Sequence, residues 1–386
     1  MSRSFMGYPR TAGRPGIRNH LTIVSICGLN APGARKIAAA LPGAVLVSNP
    51  YGRGQVGADR EFQARALTAL ACHPNSGAVI VLAPDSAARQ RYQDAAEGAG
   101  RAVAGFSLQE ADEDSPALVA AAIATGRDLQ ADLERIPRAA CPLSDLVVAM
   151  ECGHSDASSG MVANPLAGEL ADAVIADGGS VVISETVEWL GTEPALAARC
   201  PEPAVAARLL DLVAARHAIA TAAGSDPYRG NPGPQNIEGG ITTLEEKSLG
   251  AIAKGGTTPI LGALAEGEAI PGAGLFLMDT PALSPESITS MVAGGAQAVC
   301  FTTGHGNPYG SAMAPTLKIT ANPETARRLP DQIDFDASPA FTGARSRAEL
   351  LPELLDLLVR TCDGASTACE RQDEGFEVIS RLGPSI

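Results

Sequence analysis

Three short polar segments hold most of the residues able to do acid–base or metal chemistry, and each directly follows an apolar run. Glu151-Cys152-Gly-His154-Ser-Asp156 offers oxygen, sulfur and nitrogen donors within six residues, a mixture that suits a divalent metal such as iron or manganese. Ser184-Glu185-Thr-Val-Glu188 sets two carboxylates three positions apart, on one face if a helix begins there. A carboxylate so placed can act as base or ligand, or simply complement a helix dipole. Thr302-Thr303-Gly-His305-Gly flanks a histidine with glycines, which let a backbone approach a ligand closely. Glu151, Cys152 and Glu185 are therefore candidate metal ligands, His154 and His305 candidate catalytic groups, and Thr302 and Thr303 candidate substrate contacts. Each has an ordinary structural reading beside it: a small buried thiol for Cys152, a turn for His154, a structural histidine for His305.

Two further segments add polar groups. Residues 224–241 form a Gly/Pro/Asn-rich stretch of a length unusual in a loop without a function. It leads into Thr242-Thr-Leu-Glu-Glu-Lys247-Ser, where the threonines and glutamates read as a capping box. Asn231, Asn236 and Lys247 remain as candidate substrate or metal-shell groups, with Lys247 as a possible base. Near the N-terminus, Gly13-Arg14-Pro-Gly-Ile-Arg18-Asn and, later, Arg53 supply guanidinium groups able to clamp a carboxylate bidentately. No GxGxxG opens a helix and no Walker A segment is present, so nucleotide chemistry has no support.

The elements that must position these groups alternate. Apolar strands at 21–28, 44–48, 77–83 and 102–106 are separated by helical stretches at 34–41, 59–71 and 87–98, with a long helix at 115–135. After a break at 136–142, strands at 146–150, 180–184, 274–278 and 298–303 alternate with helices at 165–176, 203–222, 243–254 and 285–293, and a helix at 347–360 follows. This pattern predicts the α/β class, with parallel-sheet βαβ units in two domains: an N-terminal α/β domain over 1–140 and a C-terminal α/β catalytic domain over 141–386. In open parallel sheets ligands gather beyond the carboxyl ends of the strands. The three polar segments all fall there, which points to one shared pocket.

Composition narrows the partners. With 29 basic and 43 acidic residues the net charge is −14, which disfavours nucleic acid and anionic membranes. An acidic substrate then requires a local basic pocket. Eight cysteines without a CxxC pair predict reduced thiols in the cytoplasm. No apolar segment reaches the roughly 18–20 residues of a membrane span, and no signal peptide is visible.

The ordered motifs Gly7-Tyr-Pro-Arg…Gly13-Arg-Pro-Gly-Ile-Arg-Asn19, Glu151-Cys-Gly-His-Ser-Asp156, Ser184-Glu-Thr186, Gly239-Gly-Ile-Thr-Thr-Leu-Glu-Glu-Lys-Ser248, Lys254-Gly-Gly-Thr257 and Phe301-Thr-Thr-Gly304 together resemble the altronate/galactarate dehydratase family over roughly residues 7–340. The resemblance implies a metal-dependent lyase that dehydrates a sugar acid or similar hydroxy acid to a 2-keto acid, with Fe2+ (or Mn2+) as cofactor. It equally implies the family's (2R)-sulfolactate sulfo-lyase large subunit, which releases sulfite. Because the motifs begin at residue 7, a separate small subunit is expected to supply the extra domain of single-chain members. A homo-oligomer is expected too. Where dehydratases of the family carry a His-Thr-x-Gly-Cys-Gly segment, this chain has Ser48-Asn-Pro-Tyr-Gly-Arg-Gly-Gln-Val-Gly57. Arg53 there would suit a strongly anionic group such as sulfonate. A binding subunit that has lost catalysis is the rival reading.

Overall fold

The computed structural model describes residues 3–52, 54–226, 230–383 and 385. The described residues form thirteen strands, seven of them buried along all or nearly all of their length, as parallel sheets covered on both faces require. In chain order they are β1 (Ser4–Gly7), β2 (His20–Ser25), β3 (Val45–Ser48), β4 (Ser76–Ala83), β5 (Ala102–Ser107), β6 (Ala139–Pro142), β7 (Val147–Gly153), β8 (Ser180–Ile183), β9 (Ile260–Leu264), β10 (Gly274–Met278), β11 (Ala298–Thr303), β12 (Thr316–Thr320) and β13 (Phe335–Asp336).

Two parallel sheets and one small antiparallel pair result. The four-stranded sheet runs β3-β2-β4-β5 and the seven-stranded sheet β13-β12-β11-β7-β8-β10-β9, with every pairing parallel. The expected α/β class with parallel βαβ units is the class the chain adopts. In each sheet the first strand lies inside, and the chain winds first to one side and then to the other. The winding reverses between β2 and β4 in the small sheet and between β7 and β11 in the large one. A crevice opens beyond the carboxyl ends of the strands at such a reversal.

The sequence reading missed β1, β6, β9, β12 and β13. β1 pairs antiparallel with β6 and places Phe5, with Ile17 beyond it, in the core around Leu146, Val148 and Leu354 of the large sheet and its helices. Edge strand β13 contributes only Phe335 and Asp336, too short a run to show a periodicity. A second core joins the sheets: Val24, Val79 and Val81 pack with Val147, Met278 and Phe301. Each such side chain taken from water contributes about 1.5–3 kcal/mol, so the small sheet is anchored to the large one by ordinary burial. No described helix is long and apolar enough to cross a membrane.

Candidate active site

β7 ends in Glu151 and Cys152, and β8 runs directly into Ser184 and Glu185. The two strands are neighbours in parallel register, with Met150 opposite Ile183, so these side chains must meet at one edge. Glu185 itself is left-handed, with φ 62° and ψ 78°, a conformation that non-glycine residues adopt only where surroundings impose it. A short 3-10 turn, Thr186–Trp189, then brings Glu188 back to the same edge.

The fourth charge comes from elsewhere. The helix Leu244–Ile252 gives way to a tight turn at Ala253–Gly255, which drops Lys254 onto the end of β7. This approach needs Gly168 in the helix Asn164–Ala176, since a Cβ there would sit 2.1 Å from the Ala253 carbonyl oxygen. Lys254 Nζ donates to Glu188 Oε2 at 2.5 Å and to Cys152 Sγ at 3.2 Å. The Cys152 thiol donates in turn to Glu188 at 3.4 Å. Lys254 and Glu188 are 1% and 3% exposed: a buried ion pair whose separation would leave a naked charge.

Behind it, Glu151 accepts from Ser287 Oγ at 2.8 Å and Ser284 Oγ at 3.3 Å, and its carboxyl is hydrogen-bonded to that of Glu185. Burial, then repulsion from Glu151 and Glu188, holds the Glu185 carboxyl well above the usual carboxylate range. Burial pushes Glu151 up to about 7, against the pull of Lys254. Glu188 goes the other way: burial opposes its charge, but Lys254 and Lys247 outweigh burial and hold it below its ordinary value. Lys254 stays charged because Cys152 and three glutamates overcome its burial, whereas burial and Glu188 push the Cys152 thiol up. Two carboxyls on one turn are thus pushed in opposite directions, the pattern by which an acid and a base are told apart at one pH.

A cavity of about 480 Å³ opens onto this edge, lined by Cys152, His154, Glu185, Glu188, Asn236 and Lys247 among others. Lys247 donates to Asn231 Oδ1 at 2.7 Å, leaving Asn231 Nδ2 buried and without a partner among the described residues. That orphaned donor and the ammonium beside it are suited to a carboxylate. Thr243 caps the helix that carries Lys247, accepting from Glu246 N at 3.1 Å, and Thr242 holds the Glu246 carboxylate. The threonines are therefore structural, as their capping pattern suggests.

Of the residues singled out in the sequence, Glu151, Cys152, Glu185, His154 and Lys247 come together, with Asn231 alongside. The others do not. Arg14 reaches Asp145 O and Ser180 Oγ at the amino end of β8, the wrong end of the sheet, because the Tyr8–Gly16 bridge folds the segment under it. Arg18 spends its guanidinium on a bidentate pair with Glu370 and on the Thr361 and Ala365 carbonyls. Thr302 donates to Asn164 Oδ1, and Thr303 accepts from Gly306 N; both shape the loop, and neither lines the cavity. His305 turns its ring against Gly239, where Nε2 is buried without a partner among the described residues. Arg53 lies outside the described residues.

Glu151, Cys152 and Glu185 do not form a metal cage either. Among the described residues no three His, Cys, Asp or Glu side chains converge to hold an ion, and the Lys254 ammonium already stands against the thiol. In this arrangement the donor set does not fit a resident iron or manganese ion. Lys254 and Glu188 are the partners that sequence reasoning undervalued. Lys254 read as the end of a helix before Gly255 and Gly256, and only its conspicuous charge in an otherwise apolar turn pointed elsewhere.

Residues 143–385 match the family model for the C-terminal part of D-galactarate/altronate dehydratase, and residues 7–134 match the second domain of D-galactarate dehydratase/altronate hydrolase. The chain is 35% identical to the (2R)-sulfolactate sulfo-lyase subunit beta of Chromohalobacter salexigens, covering 98% of each chain. It is 33% identical to the altronate dehydratase of Escherichia coli, covering 98% of this chain and 78% of that one. It is 34% identical to the galactarate dehydratase of Escherichia coli over 60% of this chain and 44% of that one. All three relatives are lyases by name. The chain belongs to the altronate/galactarate dehydratase family of lyases.

Proposed function

We propose that the chain catalyses β-elimination from a small acidic hydroxy acid at the carboxyl end of the large sheet. The observation that carries this reading is a pair of buried, cavity-lining carboxyls on one turn in opposite surroundings: Glu188 is ion-paired with Lys254 at 2.5 Å and held low, while burial and the neighbouring glutamates push Glu185 up. Elimination beside a carboxylate needs a base for the α-proton and an acid for the leaving hydroxyl. Glu188 takes the α-proton, with Lys254 and Cys152 fixing its orientation. The electron pair left on the α-carbon moves into the new carbon–carbon double bond as the β-hydroxyl departs with the Glu185 proton. Tautomerisation of the resulting enol gives a 2-keto acid. Lys247 and Asn231 Nδ2 hold the substrate carboxylate, so the negative charge that builds up next to it meets a fixed cation.

A second reading concerns the leaving group. A relative matching over 98% of both chains is named for a sulfo-lyase, and a sulfonate departs as sulfite without needing a proton. The word subunit in that name also supports a separate small partner chain. The test is an elimination assay with altronate, galactarate and (2R)-sulfolactate, with and without an added sulfo-lyase small subunit, following 2-keto acid and sulfite. Formation of a 2-keto product supports the reading, and sulfite release selects the second form of it. No product from any of the three, with the small chain present, refutes both.

A further inference from the structure

On the side of Glu185 away from the cavity, a polar chain with no part in the reaction above leads out to the helix Pro203–Ala222. Glu185 N donates to Thr280 Oγ1 at 2.9 Å, and Thr280 N donates to Thr186 Oγ1 at 3.3 Å. The residues on either side of the 185–186 peptide bond are thus stitched to the loop after β10. Thr186 Oγ1 donates to Asp279 Oδ1 at 2.5 Å, and Arg216 Nε donates to that same oxygen at 2.7 Å. Arg216 also lies 3.5 Å from Glu266, which Ser290 supports at 3.2 Å. Arg216 and Asp279 are each about one-sixth exposed at 17%, and both line a separate cavity of about 400 Å³ rather than the catalytic one.

A left-handed glutamate persists only where neighbouring bonds overdetermine it. Here the bonds that do so are the Thr280 and Thr186 contacts, and both depend on where Asp279 stands. Arg216, reaching across from another element, fixes Asp279. We infer that Arg216 and Asp279 are positioning residues that hold the Glu185 turn in its left-handed form and so keep its carboxyl against Glu151 and the cavity. This rests on the proposed role of Glu185 as acid. Charged and titratable groups face Glu185 from every neighbouring element: Glu151 and Cys152 on β7, Glu188 on its own turn, Lys247 and Lys254 at and beyond the helix Leu244–Ile252, and Asp279 after β10. Released from its turn, the carboxyl leaves Glu151 and loses the repulsion that favours its neutral form. The high-pH limb of the activity profile then moves to lower pH.

The test uses Asp279→Asn, Arg216→Met, Thr186→Val and Thr186→Ser in the full chain, assayed under whichever condition, with or without an added small subunit, gives elimination in the wild type. The first three should lower kcat by about tenfold to a hundredfold, the range expected when a catalytic group is misplaced by about an ångström. KM should stay within about twofold, since positioning rather than ground-state binding is lost. The high-pH limb should shift down in these three, and Thr186→Ser should retain the wild-type profile. A crystal structure of Asp279→Asn should show residue 185 outside the left-handed region. Unchanged kcat and pH limb, or residue 185 still left-handed, overturns the inference. Absence of elimination in the wild-type protein would refute the proposed function instead, and the structural arm would still decide whether the turn depends on Asp279.

Discussion

The two parallel sheets end alike and differ in what they do with it. Each winds outward from an inner strand in both directions, and each opens a cavity beyond its strand ends. The small sheet's cavity is the larger, at about 710 Å³ against about 480 Å³. Its walls are Cys27, Gly28, Pro50, Tyr51, Pro84 and Leu108, and its guanidinium, Arg381, stacks 4.2 Å above the Tyr51 ring. None of its described lining residues carries a buried side-chain atom without a partner. The large sheet's crevice gathers Glu185, Glu188, Cys152 and Lys254 out of water, with the buried Lys254–Glu188 ion pair among them. Topology supplies both crevices. Only one is filled with groups that cost folding energy and that the chain nonetheless keeps, and it is this cost, not volume, that marks the site.

The sharpest way to break the contrast is at the acid. Glu185→Gln should cut elimination by roughly 10²–10⁴-fold, the usual contribution of general acid–base catalysis. It should fold as well as wild type, because the amide mimics the neutral carboxyl already present; a steady-state assay with circular dichroism checks both. Next in size is the ion pair. Lys254→Met leaves Glu188 buried and uncompensated, a loss of about 3–5 kcal/mol readable by urea denaturation. Lys254→Met with Glu188→Gln should recover most of that stability while remaining inactive. Recovery of activity in the double variant would contradict the role of Glu188 as base.

A smaller effect is expected from pH alone. Glu151 has its folded value raised from 4.5 to about 7, and Glu185 is held well above its ordinary value as well. Their contribution to stability is therefore complete below 4.5 and is lost as pH climbs through 7. The urea midpoint should fall between pH 5 and pH 8, and Glu185→Gln should flatten that fall. Smallest of all is the control at the other cavity. Tyr51→Phe leaves the ring under Arg381 and should change elimination by less than about twofold, within the ordinary range for surface and wall substitutions. A large loss there would move chemistry to the small sheet.

Much of this architecture was legible before any coordinates. The runs that became β4, β7, β10 and β11 announced themselves by continuous apolar, β-branched composition, and the polar residues following them fell at the crevice because parallel sheets put them there. Glu151, Cys152 and Glu185 could be picked for that reason alone. What was not legible depended on contacts across long sequence separations. Arg14 and Arg18 have the right chemistry for a carboxylate, but the Tyr8–Gly16 bridge and the Glu370 partner are invisible in local sequence. Lys254 enters the site through a close helix–turn approach permitted by Gly168, 86 positions upstream. Arg216 and Asp279 lie on a helix and a loop whose meeting nothing in their own segments foretells. His305 fits a strand-end loop as well as any catalytic histidine does, and only the packed position of its ring against Gly239 separates the two.

The central claim is that Glu185 and Glu188, three residues apart, act as acid and base on one substrate. The most direct measurement is the rate of α-proton exchange with solvent deuterium, alongside product formation from altronate, in wild type, Glu185→Gln and Glu188→Gln, each with and without an added small subunit. The account predicts that Glu185→Gln still exchanges the α-proton while failing to form 2-keto acid, and that Glu188→Gln does neither. Equal loss of exchange and product in Glu185→Gln, with exchange intact in Glu188→Gln, would reverse the two roles and contradict the account.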